Sequence, residues 1–100
     1  MSDEPPFSAP AYLGPDGLVS RGLSRNADEA IVAFRAMRQT IRGTLSPDID
    51  SAERLARDVA AKLGCRSDLR GPESHMDGPF HYHLVEFSEW HFWFLGGPLT

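Results

Sequence analysis

The segment FHYHLVEFSEWHFWFL, residues 80–95, decides the fold of this chain. Aromatic and β-branched residues dominate it, and such residues are enriched in strands. The segment predicts an antiparallel β-hairpin with strands at 80–87 and 90–95 and a tight turn at Ser88-Glu89. Three of the four histidines and both tryptophans of the chain lie in it. The hairpin is therefore either the aromatic core of a small domain or the place where its chemistry is carried out.

The register of the hairpin decides which histidines lie together. Side chains alternate between the two faces of a strand, so His81 and His83 share a face. A two-residue turn places Glu86 opposite His91 as a favourable charged pair, and we favour this register. A three-residue turn shifts the pairing by one and brings His91 to the face of the other two histidines. The position of His91 therefore depends on one residue of turn length.

Two helices are predicted upstream of the hairpin. The first begins at Asn26, whose side chain suits an N-cap, and its apolar residues keep helical spacing as far as Ile41 or Leu45. The second starts at Ser46-Pro47-Asp48, with proline in its first turn, and ends near Leu63, where Gly64 suits the C′ position. The expected fold is α+β, with two antiparallel helices followed by a C-terminal antiparallel β-hairpin. A short N-terminal strand from residues 11–24, or dimerisation, extends this hairpin.

Composition sets the broad class of the protein. Its 100 residues suit one domain, with the acidic, proline-rich residues 1–10 as a flexible arm and 11–100 as a single domain. The net charge of −4 argues against broad binding to nucleic-acid backbones. No apolar run reaches the roughly 18–20 residues of a membrane helix, and no signal peptide is recognisable, so a cytoplasmic protein is expected. A single cysteine, Cys65, excludes a zinc site of several thiolates from one chain.

A pair of histidines can carry out acid and base catalysis because the histidine pKa lies near neutrality. Cleavage of an RNA phosphodiester needs one group that takes the 2′-hydroxyl proton and another that protonates the leaving oxygen. His81 and His83 are the candidates for these two roles, with His91 and Glu86 in support. This interpretation predicts a small nuclease whose substrate is RNA.

Such a nuclease also needs side chains that bind the substrate. Arg35 and Arg38 lie on a basic stripe of the predicted first helix, and Arg70 lies in the polar connection before the hairpin. Any of these three could stabilise the charge of the phosphorane. Tyr82 or Trp90 could stack on a base.

A metal site is the second use to which the histidines could be put. Two imidazoles at alternate positions of one strand can converge on one divalent transition metal. His81 and His83 are then the first two ligands, and His75 or Asp77 in the preceding loop supplies a third. Without such a site, the sequence calls for no cofactor.

The third interpretation is a protein without catalytic activity. The hairpin is apolar on both faces, and a lone hairpin is marginally stable in water. Its aromatic residues then form a surface for a second copy of the chain or for another protein, as in an accessory or immunity-like acidic protein. Homodimerisation is the expected outcome. The aromatic residues concerned are Trp90, Phe92, Trp93 and Phe94.

The pattern GPFHYHL (78–84), WHFWF (90–94) and GG (96–97) resembles the His-x-His…His-aromatic hairpin that closes several bacterial polymorphic toxin domains. The resemblance covers roughly the last 20 residues. It implies a small α+β nuclease module that an immunity partner neutralises.

Overall fold

A computed structural model describes residues 7–74 and 79–95. This part of the chain contains six strands and two helices, in the following order: β1 (Ala9–Gly14), β2 (Gly17–Ser20), α1 (Ala27–Ala36), β3 (Arg42–Ser46), α2 (Ile49–Leu63), β4 (Leu69–Glu73), β5 (His81–Leu84) and β6 (Phe87–Phe94). Neither of the two described helices has the length and apolarity that a bilayer crossing requires. β1 begins inside the segment that was expected to be an arm, and residues 1–6 lie outside the described part.

The six strands form one mixed sheet in the order β2-β1-β3-β6-β5-β4. Neighbouring strands are antiparallel except β3 and β6, which run parallel at the centre of the sheet. The expected fold of two antiparallel helices followed by a hairpin is therefore wrong. Strands dominate the described residues, two of them precede the helices, and β3 separates α1 from α2.

The first helix is shorter than its apolar spacing predicted. Asn26 is the N-cap and accepts a hydrogen bond from the Glu29 amide at 2.9 Å, as expected. The helix ends at Ala36, whereas the spacing favoured a helix to Ile41. The segment that follows, Arg42–Ser46, gains more as a strand because it forms backbone hydrogen bonds with strands on both sides. Local periodicity was overridden by these long-range pairs.

The end of the second helix near Leu63 was predicted correctly, but Pro47 was expected in its first turn and precedes the helix instead. Asp48 is its N-cap and accepts a hydrogen bond from the Ser51 amide at 2.8 Å. Gly64 ends the helix in the left-handed conformation, at φ 74°. Its buried stripe of small residues lets α2 lie close to the sheet, and this stripe includes Ala52, Ala56 and Ala60.

Both helices pack on one face of the sheet and form a single core with it. At its centre three aromatic rings are stacked: Phe34 lies 4.4 Å from Trp90, and Trp90 lies 5.0 Å from Phe92. The indole N–H of Trp90 donates to the Thr44 hydroxyl at 3.1 Å, which satisfies its one polar group. These three rings therefore belong to the core. The aromatic residues of the hairpin lie on both faces of the sheet, and only some of them face the helices.

The hairpin is not an isolated ribbon. β3 pairs with β6 on one side, and β4 pairs with β5 on the other. Trp93, on the face away from the helices, is only 4% exposed. A homodimer was expected because a lone hairpin is marginally stable in water, and in this sheet the hairpin has a neighbouring strand on either side.

Gly43 sets the spacing between the two central strands. It pairs with His91 across the parallel β3–β6 junction. A Cβ atom at position 43 would overlap the carbonyl oxygen of His91 and lie 2.7 Å from its backbone nitrogen. Only glycine therefore allows β3 to approach β6 this closely.

We expect Gly43→Ala to destabilise the protein by about 3 kcal/mol or more, because the overlap is with backbone that has nowhere to move. Gly14→Ala is the matched control, since a Cβ there makes only ordinary contacts, the nearest being Val19 at 3.4 Å. Its effect should stay within about 0.5 kcal/mol. Urea unfolding of both variants measures the difference. Equal stability of the two variants would contradict this role of Gly43.

Candidate metal centre

A bulge in β6 decides which residues of the hairpin face away from the helices. The β5–β6 register shifts between Tyr82, which pairs with Phe92, and Leu84, which pairs with Phe87. Between these two pairs β5 advances by two residues and β6 by five. Phe87 and Trp90 consequently both pack against the core although they are three residues apart. From Trp90 onward the alternation is regular, and His91 points to the opposite face.

The hairpin turn lies at Val85-Glu86, not at Ser88-Glu89. The favoured pairing of Glu86 with His91 is therefore wrong. The Glu86 carboxylate instead accepts a hydrogen bond from the Arg66 amide at 3.0 Å and lies 3.7 Å from the Arg66 guanidinium. The alternative outcome, in which His91 joins the other two histidines, is correct, but a bulge and not the turn length produces it.

Three imidazole rings meet on the face of the sheet away from the helices, and we call them the histidine cluster: His81, His83 and His91. The ring centroids lie 4.4–5.0 Å apart. His81 is completely buried, and the other two are 5% and 9% exposed. One ring nitrogen from each lies within 4.8 Å of those of the other two. Trp93 stacks on His91 at 5.0 Å and covers one side of the cluster.

Backbone carbonyls orient two of these rings. The Nδ1 atom of His83 lies 3.2 Å from the Trp90 carbonyl oxygen, and that of His91 lies 3.3 Å from the Arg42 carbonyl oxygen. Because a carbonyl oxygen only accepts hydrogen bonds, each Nδ1 carries the proton and each Nε2 keeps its lone pair. The Nε2 atom of His83 lies 3.1 Å from that of His81. Without a metal ion, Nε2 of His83 accepts a hydrogen bond from the Nε2–H group of His81.

A second bulge, in β4, adds two charged side chains to the histidine cluster. Arg70 pairs with His83 and Glu73 pairs with His81, so three steps along β4 match two along β5. Gly71 permits this bulge, since it adopts φ +112°, which other residues avoid. Without the bulge, residues 70 and 73 would face opposite sides of the sheet.

The Glu73 carboxylate lies next to two of the imidazoles. Its Oε1 atom is 3.6 Å from Nε2 of His81 and 3.4 Å from Nε2 of His83. The same oxygen lies 3.8 Å from Nη2 of Arg70. One carboxylate oxygen is thus shared between two imidazoles and a guanidinium.

The environment of His83 favours its neutral form. Burial lowers the pKa of His83 below its ordinary value, and the positive charge of Arg70 lowers it further. Glu73 and the backbone hydrogen bonds oppose this shift only in part. A neutral imidazole with its Nε2 lone pair available is the form that binds metals.

The residues predicted to bind RNA are dispersed, and only Arg70 lies at the histidine cluster. Tyr82 and Trp90 face the helices: the Tyr82 hydroxyl donates to Glu53 at 3.0 Å, and Trp90 is completely buried. Neither side chain can stack on a base. Arg35 lines a separate cleft of about 360 Å³ on the helix side, and the exposed Arg38 follows the end of α1. His75 and Asp77, the loop ligands that were predicted, lie outside the described residues.

Sequence reasoning missed Glu73. It treated residues 66–78 as a polar connection, because Gly71-Pro72 is a typical chain breaker. The same dipeptide inside a short strand is also compatible with a bulge, and this signal could have brought residues 70 and 73 to one face.

Comparisons of this chain with protein-family models, with curated proteins and with solved structures find no match.

The metal-free protein should lose stability as the pH falls through about 6.5, the ordinary pKa of histidine. The lowered pKa of His83 means that the unfolded chain binds its proton at a higher pH than the folded chain does, so acid favours unfolding. Urea unfolding with a chelator present, between about pH 8 and pH 5, measures this slope. We expect a shallower slope for His83→Gln, and an unchanged slope would contradict the assignment.

Proposed function

We propose that this protein binds a divalent transition metal ion through His81, His83 and His91. The observation that carries the proposal is the convergence of three buried imidazoles on one face of the sheet. Two of them are hydrogen-bonded to backbone carbonyls through Nδ1, which leaves the lone pair of each ring on Nε2. Metal-binding histidines are typically oriented in this way by a hydrogen bond at the other ring nitrogen.

The spacing of the nitrogens supports a tetrahedral centre. With bonds of about 2.0–2.1 Å, two ligand atoms of a tetrahedral ion lie about 3.3 Å apart. The Nε2 atoms of His81 and His83 are 3.1 Å apart, close to this value. One ring nitrogen of His91 lies within 4.8 Å of those of the other two histidines, so His91 would complete the set of three nitrogen ligands.

The ligand atoms indicate the class of metal. Imidazole suits Zn²⁺, Co²⁺, Ni²⁺, Cu²⁺ and Fe²⁺, whereas Mg²⁺ and Ca²⁺ prefer sites built from oxygen. Cys65 lines the cleft on the helix side together with Phe34 and Trp90, so its thiol belongs to the other face of the sheet. A transition metal ion of intermediate softness, bound through nitrogen atoms, therefore fits best.

The acid–base use of the same histidines is less well supported. A nuclease must bring an RNA phosphate into contact with both catalytic groups, and His81 is completely buried. A single ion needs far less room than a polymer. RNA cleavage, the resemblance to toxin hairpins, and a protein partner all stay predictions.

Titration of the chelator-treated protein with Zn²⁺ or Co²⁺ tests the proposal, and we expect one ion per chain. His81→Ala, His83→Ala and His91→Ala should each weaken binding by about 100-fold or more, since losing even an outer partner of a ligand typically costs 10–100-fold. Calorimetry gives the affinity and the stoichiometry. The ion should also raise the midpoint of thermal unfolding, by mass action.

Asp58→Ala is the control, because Asp58 is exposed on α2, on the opposite side of the sheet. It should bind the ion like the unmodified protein. A protein that binds neither ion at micromolar concentration, or histidine variants that bind as tightly as Asp58→Ala, would overturn the proposal.

A further inference from the structure

We infer that Glu73 is the fourth ligand of the metal and that its position is exchangeable, so that a small carboxylate can take its place between the metal and Arg70. This inference rests on the proposed three-histidine centre. It assigns the centre an open coordination position and a class of ligand. Sites with three protein ligands and one exchangeable position are typical of metal ions that act on a bound molecule, whereas structural sites are closed.

The position of the Glu73 carboxylate fits a fourth ligand. Its Oε1 atom lies 3.6 Å and 3.4 Å from the Nε2 atoms of His81 and His83. Both distances are close to the edge of about 3.3 Å that a tetrahedral ion with bonds of 2.0–2.1 Å requires. The three atoms therefore form one near-regular triangular face, whose third edge is the 3.1 Å separation of the two nitrogens.

Exposure distinguishes Glu73 from the three histidines. The Glu73 side chain is 42% exposed, whereas no histidine of the cluster is more than 9% exposed. The imidazoles are buried on the face of the sheet, and backbone carbonyls accept hydrogen bonds from two of them. Glu73 can swing into solvent from β4, which is an edge strand of the sheet. The coordination position on the β4 side is therefore the one that opens.

Arg70 gives this position its preference for carboxylates. Its Nη2 atom lies 3.8 Å from the oxygen that faces the histidines, and its side chain is 60% exposed. When Glu73 leaves, a guanidinium and a metal ion face the same small volume from two sides. A guanidinium binds both oxygens of a carboxylate in a fixed planar geometry, and a metal ion binds one of them. A small monocarboxylate matches this pair of groups better than a spherical anion does.

Chemical rescue with acetate tests the inference. The protein is loaded with Co²⁺, whose visible absorption reports the number and type of its ligands. Glu73→Ala should change this spectrum, or weaken Co²⁺ binding by about tenfold or more, because one ligand is lost. Acetate should then restore the original spectrum, or the binding, in a saturable manner. Chloride at the same concentration and ionic strength should not.

A second variant tests Arg70. In the Glu73→Ala background, Arg70→Gln should weaken acetate binding by about tenfold or more, since a charge-assisted bond is lost. Glu53→Ala is the matched control, because it removes the same carboxylate from α2 on the helix side. It should leave the Co²⁺ spectrum unchanged and unresponsive to acetate. If Glu73→Ala does not fold, Glu73→Gln takes its place, as it keeps the shape and removes the charge.

The outcomes separate this inference from the proposed function. If the unmodified protein binds no Co²⁺, the three-histidine centre itself fails. If it binds Co²⁺ but Glu73→Ala and Glu73→Gln leave the spectrum and the affinity unchanged, Glu73 is not a ligand. If chloride acts as well as acetate, or Arg70→Gln has no effect, the position has no preference for carboxylates.

Discussion

The close approach of β3 to β6 at Gly43 and His91 is the contact on which the rest of the structure depends. It joins the N-terminal strands to the hairpin through a parallel pair at the centre of the sheet. The absence of a side chain at Gly43 permits the approach. It also brings the Arg42 carbonyl within hydrogen-bond distance of the His91 ring. One small residue therefore holds the sheet together and orients a candidate ligand.

The histidine cluster is a costly arrangement for a small domain. Three polar rings are buried on one face of the sheet, where apolar side chains would pack without any need for hydrogen-bond partners. Backbone carbonyls accept hydrogen bonds from His83 and His91, and burial lowers the pKa of His83, which favours its neutral form. A bound ion would offset this cost, since its binding free energy adds to the free energy of folding. The opposite face, with its stacked Phe34 and Trp90, supplies the apolar burial that holds the sheet.

Local signals in the sequence predicted local structure well. The N-cap at Asn26 and the end of α2 near Leu63 are set by interactions within a few residues, and both were found where the sequence placed them. The strand β3 was missed because its apolar spacing also fits a helix. The choice between the two was made by strands distant in the sequence, and a single sequence does not show which segments will pair.

By itself, the sequence determined that His81 and His83 share a face, since alternate residues of a strand point the same way. Only the tertiary structure decided that His91 and Glu73 join them. Each of these two residues lies beyond a bulge, and a bulge reverses the alternation for every residue that follows it. The bulges form because they let Phe87 and Trp90 both reach the core and let the β4 backbone pass close to β5 at Gly71. Packing across the whole sheet, which no local pattern encodes, therefore assembled the site.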